Sequence, residues 1–144
     1  MLTERAYTAR LVPVQTMYIA TSAEGPKAQE VAAWVDGIAA DLGAARLFSP
    51  PLAVMIVNVS LDVTPVDLRT GRAEGFYRPD SQVIWLAAHA ASRDLLLHEL
   101  GHHVVCRNPE ALAEAFKFVQ SRTPKPWPGG TDFWRQVVRL GGWT

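Results

Sequence analysis

The spacing of apolar residues predicts two helices in the central part of the chain. Between Lys27 and Leu42 the apolar side chains stand at positions 31, 34, 35, 38, 39 and 42. Intervals of three and four residues are typical of one buried helix face, and Gly43 follows as a C-terminal cap. Farther along, Ser92 is a suitable N-cap for a second helix, which we expect to extend to about Cys106.

Start signals predict two more helices towards the C-terminus. Asn108 as N-cap and Pro109 at the first helical position indicate a helix that extends to about Ser121. The stretch from 123 to 130 holds three prolines and two glycines and is expected to be a loop. A last short helix should begin at Thr131, with apolar residues at 133, 134, 137, 138 and 140.

Strand signals lie mainly between the first and second predicted helices. Residues 52–61 are apolar and β-branched, which favours a central strand, whereas residues 10–20 give a weaker strand signal. Residues 74–86 are typical of a β-hairpin with its turn at 78–81, where proline and aspartate occupy the central positions. Residues 63–73 are polar and irregular. The order of helix, strands and then helices predicts a single α+β domain over 1–144.

Composition and charge narrow the classes of function. The chain has 144 residues, 49% of them hydrophobic, which is ample for one core. Its 14 basic and 14 acidic residues give no net charge, which argues against nucleic acid as a partner. No apolar run in the chain exceeds the six residues of 52–57, which is too short to cross a membrane. With a single cysteine and no signal-peptide pattern at the N-terminus, we expect a cytoplasmic protein.

Residues 98–102 read HELGH, an H-E-x-x-H pattern inside the second predicted helix. His98 and His102 are four residues apart and share one helix face, so both imidazoles can bind one metal ion. Glu99 lies about 100° round the helix, where it can hold a water molecule and take its proton. Apolar residues on both sides indicate a largely buried helix, in which unpartnered imidazoles and a carboxylate would be costly. The pattern therefore predicts a zinc site for metal-assisted hydrolysis.

A catalytic zinc site normally needs a third protein ligand. No histidine follows His103, which leaves the carboxylates Glu110 and Glu114 as candidates. If the two consecutive helices pack antiparallel, the metal lies about 9 Å back from the end of the first. Glu114 lies about 7.5 Å along the next helix and Glu110 about 1.5 Å, so the arithmetic favours Glu114. The same ligands also accept manganese, iron or cobalt.

Other polar residues near the pattern have weaker claims. Cys106 lies about 9 Å along the helix from the metal, which is too far for a ligand, and is expected to be buried and apolar in character. Tyr77 and His103 are candidates for stabilising an oxyanion. Packing is the more usual role for a hairpin tyrosine, and a surface role is favoured for His103 and His89.

Four segments of the chain resemble a known group of enzymes. They are GFY at 75–77, VIWL at 83–86, LHELGHH at 97–103 and EAFKF at 114–118. Together they resemble the zincin-type metallopeptidases of the glutamate-ligand class, and within it the small intracellular ImmA/IrrE family. The resemblance implies a zincin-like fold, in which a small sheet with a hairpin packs on the active-site helix and the following helices.

The resemblance also implies roles for individual residues. His98, His102 and Glu114 would bind zinc, and Glu99 would be the general base. Residues 83–86 would form the edge strand against which a substrate peptide lies extended. The expected function is a zinc-dependent endopeptidase that acts on a peptide or protein substrate. The alternatives are a non-catalytic, zinc-stabilised module that binds a protein, which would have no use for Glu99, and a small domain without metal.

Overall fold

The computed structural model describes residues 2–8, 16–43, 52–59, 64–107 and 131–140, and these form a mixed α+β fold. Its strands are Leu2–Thr8 (β1), Thr16–Ser22 (β2), Ala53–Val57 (β3), Gly75–Arg78 (β4) and Val83–Ala87 (β5). Its helices are Ala28–Leu42 (α1), Val66–Arg69 (α2), Arg93–Arg107 (α3) and Thr131–Leu140 (α4). The expected α+β class is confirmed.

The five strands form one open sheet in the order β1-β2-β3-β5-β4. Strands β2, β3 and β5 are parallel to one another, while β1 and β4 run antiparallel to their neighbours at the two edges. Parallel strands cannot be joined by a tight turn, and α1 makes the crossover between β2 and β3. The apolar strand β3 is therefore central, as its sequence predicts.

Helices α1, α3 and α4 cover one face of this sheet. Helix α1 contacts β2, α3 contacts β4 and β5, and α4 contacts both α1 and α3. The core between these layers contains fully buried side chains from each, including Ile38, Ile56, Ile84, Leu96 and Trp134. The opposite face carries a smaller apolar cluster around Val57, Leu68 and Ala87. Helix α3 is thus held between the hairpin and the other helices.

Most of the predicted elements are confirmed close to their expected bounds. Helix α1 ends at Leu42, and Gly43 adopts the left-handed conformation, with φ of 63°, that a C-cap glycine allows. The hairpin pairs Gly75 with Leu86 and Arg78 with Val83. Strand β3 ends at Val57, earlier than predicted. Just beyond it, the Thr64 hydroxyl donates a 2.7 Å hydrogen bond to the carbonyl of Asn58.

Three expectations about the order of elements need correction. Two strands precede the first helix, and β1 was not predicted at all because its sequence, LTERAYT, lacks the apolar alternation of a half-buried strand. Pairing with β2 along its whole length holds it in the sheet. Residues 66–69 form the short helix α2 within a stretch expected to be irregular. The helix predicted over 108–121 lies outside the described residues.

A membrane-spanning helix was not expected, and the described part of the chain contains none of sufficient length and hydropathy. The longest helices there, α1 and α3, have 15 residues each.

Candidate active site

Helix α3 carries the candidate site, and its start is fixed by a local cap. The hydroxyl oxygen of Ser92 accepts a 3.1 Å hydrogen bond from the backbone N–H of Leu95, which satisfies one of the otherwise unpaired donors at a helix N-terminus. Asp94 places a negative charge in the first turn, where the helix dipole favours it. The predicted cap is confirmed, and it sets the rotation at which the following residues meet the sheet.

The structure brings three of the predicted site residues together. The ligand atoms of His98, Glu99 and His102 lie within 4.8 Å of one another. The two imidazole rings are 5.3 Å apart between centroids and meet edge to face at 76°. A tetrahedral zinc ion is bound by nitrogens that each lie about 2.1 Å from it. The two imidazoles can reach this distance from one ion after small side-chain rotations.

Burial favours the protonation state of the histidines that a metal requires. Desolvation lowers the pKa of His98, and desolvation together with repulsion from His98 lowers the pKa of His102. Both imidazoles are therefore more readily neutral near pH 7, and only the neutral ring offers a lone pair to a cation. The His98 side chain keeps 41% of its surface exposed, so an ion has access to the pair from solvent.

Glu99 differs from the two histidines because it faces the interior. It is only 4% exposed, and burial raises its pKa to about 7 in the metal-free protein. One carboxylate oxygen lies 3.9 Å from Nε2 of His98. A buried carboxyl group whose pKa is close to neutrality, beside two histidines, has the properties expected of a general base.

We expect Glu99→Gln to stabilise the metal-free protein at pH 8. The pKa of Glu99 rises from 4.5 to about 7 on folding, so folding disfavours the ionised form. The cost is absent below pH 4.5, grows as the pH rises from there and is complete above about pH 7. Removing the charge should raise stability by about 1–2 kcal/mol at pH 8, once screening by water is allowed for.

Thermal unfolding of chelator-treated protein at pH 5 and pH 8 would measure this difference. The gain in melting temperature should shrink towards pH 5. The exposed Glu24→Gln is the matched control for the loss of one carboxylate from the surface. A Glu99→Gln protein that is no more stable than the wild type at pH 8 would contradict the conclusion that burial raises the pKa of Glu99.

Tyr77 and His103 form a buried contact between the hairpin and α3. The Tyr77 hydroxyl and Nδ1 of His103 are hydrogen-bonded at 2.8 Å, and the rings meet edge to face with centroids 5.3 Å apart. Both residues are at most 8% exposed. The packing role favoured for Tyr77 is confirmed, whereas the surface role favoured for His103 is wrong because β4 covers this part of the helix.

Other residues considered from the sequence lie elsewhere. Cys106 is exposed, not buried as expected. His89 is exposed beside a separate surface pocket of about 170 Å³. Both Glu110 and Glu114 lie outside the described residues, so the third-ligand assignment stays a prediction.

The expected edge strand is also corrected. Residues 83–86 belong to β5, which pairs with β3 on one side and with β4 on the other. The last strand of the described sheet is β4, formed by Gly75–Arg78. The hairpin was correctly located, but the choice between its two strands depends on which of them meets β3, and this is a long-range pairing.

Sequence reasoning missed the contacts that hold the three helices together. Arg93, at the start of α3, forms an ion pair with Asp41 near the end of α1. The Nε of Arg135 on α4 donates a 2.9 Å hydrogen bond to the carbonyl oxygen of Asp41. These partners are 52 and 94 residues apart in sequence, and no local signal marks them. The Arg93–Asp41 pair links the end of α3 from which the site begins to α1.

Comparisons with known proteins found no match for this chain among family models, curated protein sequences or solved structures. Its function is therefore inferred from the geometry and chemistry of the site.

Proposed function

We propose that this protein is a zinc-dependent endopeptidase with a zincin-like arrangement of sheet and active-site helix. The observation that carries the proposal is the cluster of His98, Glu99 and His102 on one buried helix, with two imidazoles side by side and a carboxyl group directed inward. A structural zinc site has four closed ligands and no need for an adjacent base. The presence of Glu99 therefore favours catalysis over a module that only binds zinc.

His98 and His102 would hold the metal, with Glu114 as the proposed third ligand. The donor set fits a borderline-soft divalent cation, because two neutral imidazoles and a carboxylate are typical ligands of catalytic zinc. Manganese, iron or cobalt could occupy the same ligands. When bound, zinc supplies Lewis acidity that polarises a peptide carbonyl and makes water a better nucleophile.

Glu99 would transfer the proton during hydrolysis. Its carboxylate accepts a proton from the attacking water and then carries that proton towards the leaving amine. Burial supports this role because a pKa close to neutrality allows both acceptance and return of a proton near pH 7. The apolar surroundings on the sheet side also limit competing contacts with bulk water.

Strand β4 is the proposed docking site for the substrate. It is the terminal strand of the described sheet, so an extended peptide could pair with its outer edge. The same strand contacts α3, which carries the site. A peptide or protein segment in extended conformation is therefore the proposed substrate class.

A chain with one cysteine has no internal disulfide, which supports the reducing cytoplasm as the proposed setting.

The test is the metal content of the purified protein, measured by mass spectrometry without chelator or histidine tag. We expect about one zinc per chain in the wild type and in Glu110→Ala, and a sharp fall in Glu114→Ala. Zinc retained in Glu114→Ala would place the third ligand elsewhere. A wild type that holds no metal, even after zinc is added back, would contradict the proposed function.

A further inference from the structure

Strand β4 and helix α3 contact each other at two points, and the distance between these points is nearly the same along the strand and along the helix. Tyr77 is hydrogen-bonded to His103, and Gly75, two residues earlier in the strand, lies beside Glu99, four residues earlier in the helix. Two strand residues span about 6.6 Å and four helical residues rise about 6 Å. The two contacts therefore fit together without distortion, and the Tyr77–His103 hydrogen bond keeps Gly75 opposite Glu99.

The absence of a side chain at Gly75 is what lets Glu99 approach. A Cβ atom there would lie 3.2 Å from Cγ of Glu99, 3.0 Å from Cδ2 of Leu86 and 3.3 Å from Cδ1 of Leu95. The two leucine atoms are terminal methyl groups, and of the two side chains Leu86 is fully buried and has little room to turn. Cγ of Glu99 is different because it carries the carboxylate. A side chain at position 75 should therefore push Cγ of Glu99, and the carboxylate with it, by a few tenths of an ångström.

Backbone conformation does not explain why a glycine stands at this position. Among the described glycines, only Gly43 and Gly71 have positive φ angles, whereas Gly75 is ordinary strand. Glycine weakens a strand in which it stands. It is usually found inside a strand where another group approaches the backbone closely. At Gly75 that group includes Glu99.

We propose that Gly75 is a positioning residue for Glu99, and that strand β4 sets where the general base stands relative to the metal-binding histidines. The catalytic consequence of this proposal rests on the proposed function. The contact between Gly75 and Glu99 does not depend on it. Within the described part of the chain, the three atoms nearest to a Cβ at position 75 belong to neither His98 nor His102, so the substitution should leave metal binding by these histidines intact while moving the carboxylate.

The first test is a double-mutant cycle in metal-free protein, followed by thermal unfolding. We expect Gly75→Ala to lower the melting temperature by about 3–8 °C through overpacking. In the Glu99→Ala background, which lacks Cγ, at least half of that loss should disappear. The same loss in both backgrounds would overturn the proposal. If Gly75→Ala alone does not fold, the double variant with Glu99→Ala decides. A double variant that folds supports the proposal, and a double variant that fails to fold contradicts it.

Gly25→Ala is the matched control for crowding. A Cβ at Gly25 would lie 3.1 Å from Cβ of Ala88 and 3.2 Å from Cγ2 of Ile56, which is equally tight but involves no site residue. We expect its effect on the melting temperature to be the same with Glu99 and with Glu99→Ala. Coupling to Glu99 should thus be specific to position 75.

The second test observes the carboxyl group directly. In protein labelled with ¹³C at glutamate carboxyls, the Glu99 signal is the one of seven that Glu99→Gln removes. At one fixed pH, this signal should shift in Gly75→Ala and stay in place in Gly25→Ala. An unmoved signal in Gly75→Ala would refute a positioning role, whatever happens to stability.

The zinc-loaded protein separates this inference from the proposed function. Gly75→Ala should keep its zinc and lose at least tenfold in kcat on a cleaved peptide, with a smaller change in KM. If the wild type neither binds zinc nor cleaves peptides, the proposed function fails while the two metal-free tests still decide the contact. If the wild type is active and Gly75→Ala equals it, the positioning role fails alone.

Discussion

Glu99→Gln should abolish peptide hydrolysis while leaving the zinc content unchanged. The substitution keeps the shape of the side chain but removes its ability to accept a proton, and general base catalysis typically contributes about 10²–10⁴-fold to a rate. Glu99 is buried beside His98 and His102, and in the proposed mechanism it accepts a proton while Glu114 completes the ligands, so zinc should stay bound. The measurement is cleavage of a degenerate peptide mixture by zinc-loaded protein, followed by mass spectrometry, with zinc content determined on the same samples.

Asp94→Asn is the matched control for the loss of a carboxylate from the same helix. Asp94 is exposed in the first turn of α3, so we expect hydrolysis close to that of the wild type. Wild-type activity in Glu99→Gln would eliminate the proposed mechanism. Stoichiometric zinc without hydrolysis in any variant, including the wild type, would favour the non-catalytic zinc module instead.

His102→Ala should weaken zinc binding by more than 100-fold. Loss of an outer partner of a ligand already costs about 10–100-fold in metal affinity, and removal of a ligand should cost more. The side chain of His102 is only partly buried, so the fold should tolerate the change. Competition with a chromophoric chelator, at a pH where both imidazoles are neutral, would measure the affinity.

His89→Ala is the control for the loss of one histidine. His89 is exposed and lines a different pocket, formed with Glu24 and Asn58. Its substitution should leave the zinc affinity within twofold of the wild type. Equal weakening in both variants would mean that zinc binds this protein at scattered histidines, with no defined centre.

The local part of the site could be predicted from the sequence because a helix is a local structure. Residues four apart share a face in any helix, so placing His98 beside His102 required only that residues 93–107 be helical. The Ser92 cap and the apolar residues around the pattern supplied that information. The pairing of the two imidazoles followed from the spacing alone.

The surroundings of the site could not be predicted in the same way. Which strand of the hairpin lies at the edge depends on whether β4 or β5 pairs with β3, and the sequence interpretation chose the wrong one. His103 was expected at the surface and is buried against Tyr77, while Cys106 was expected inside and is exposed. The errors at His103 and Cys106 concern what covers a helix, which helical periodicity does not specify, and the error in the hairpin concerns a long-range strand pairing.

The sequence by itself determined helices α1, α3 and α4, the hairpin and the histidine pair, because capping, periodicity and turn chemistry act between residues close together in the chain. Only the tertiary structure decided that Glu99 would be buried, with its pKa raised to about 7, and that Gly75 would be the residue beside it. Burial and close approach arise from contacts between distant segments. Residues 75 and 99 meet because the sheet pairs β4 with β5 and α3 then folds back over both.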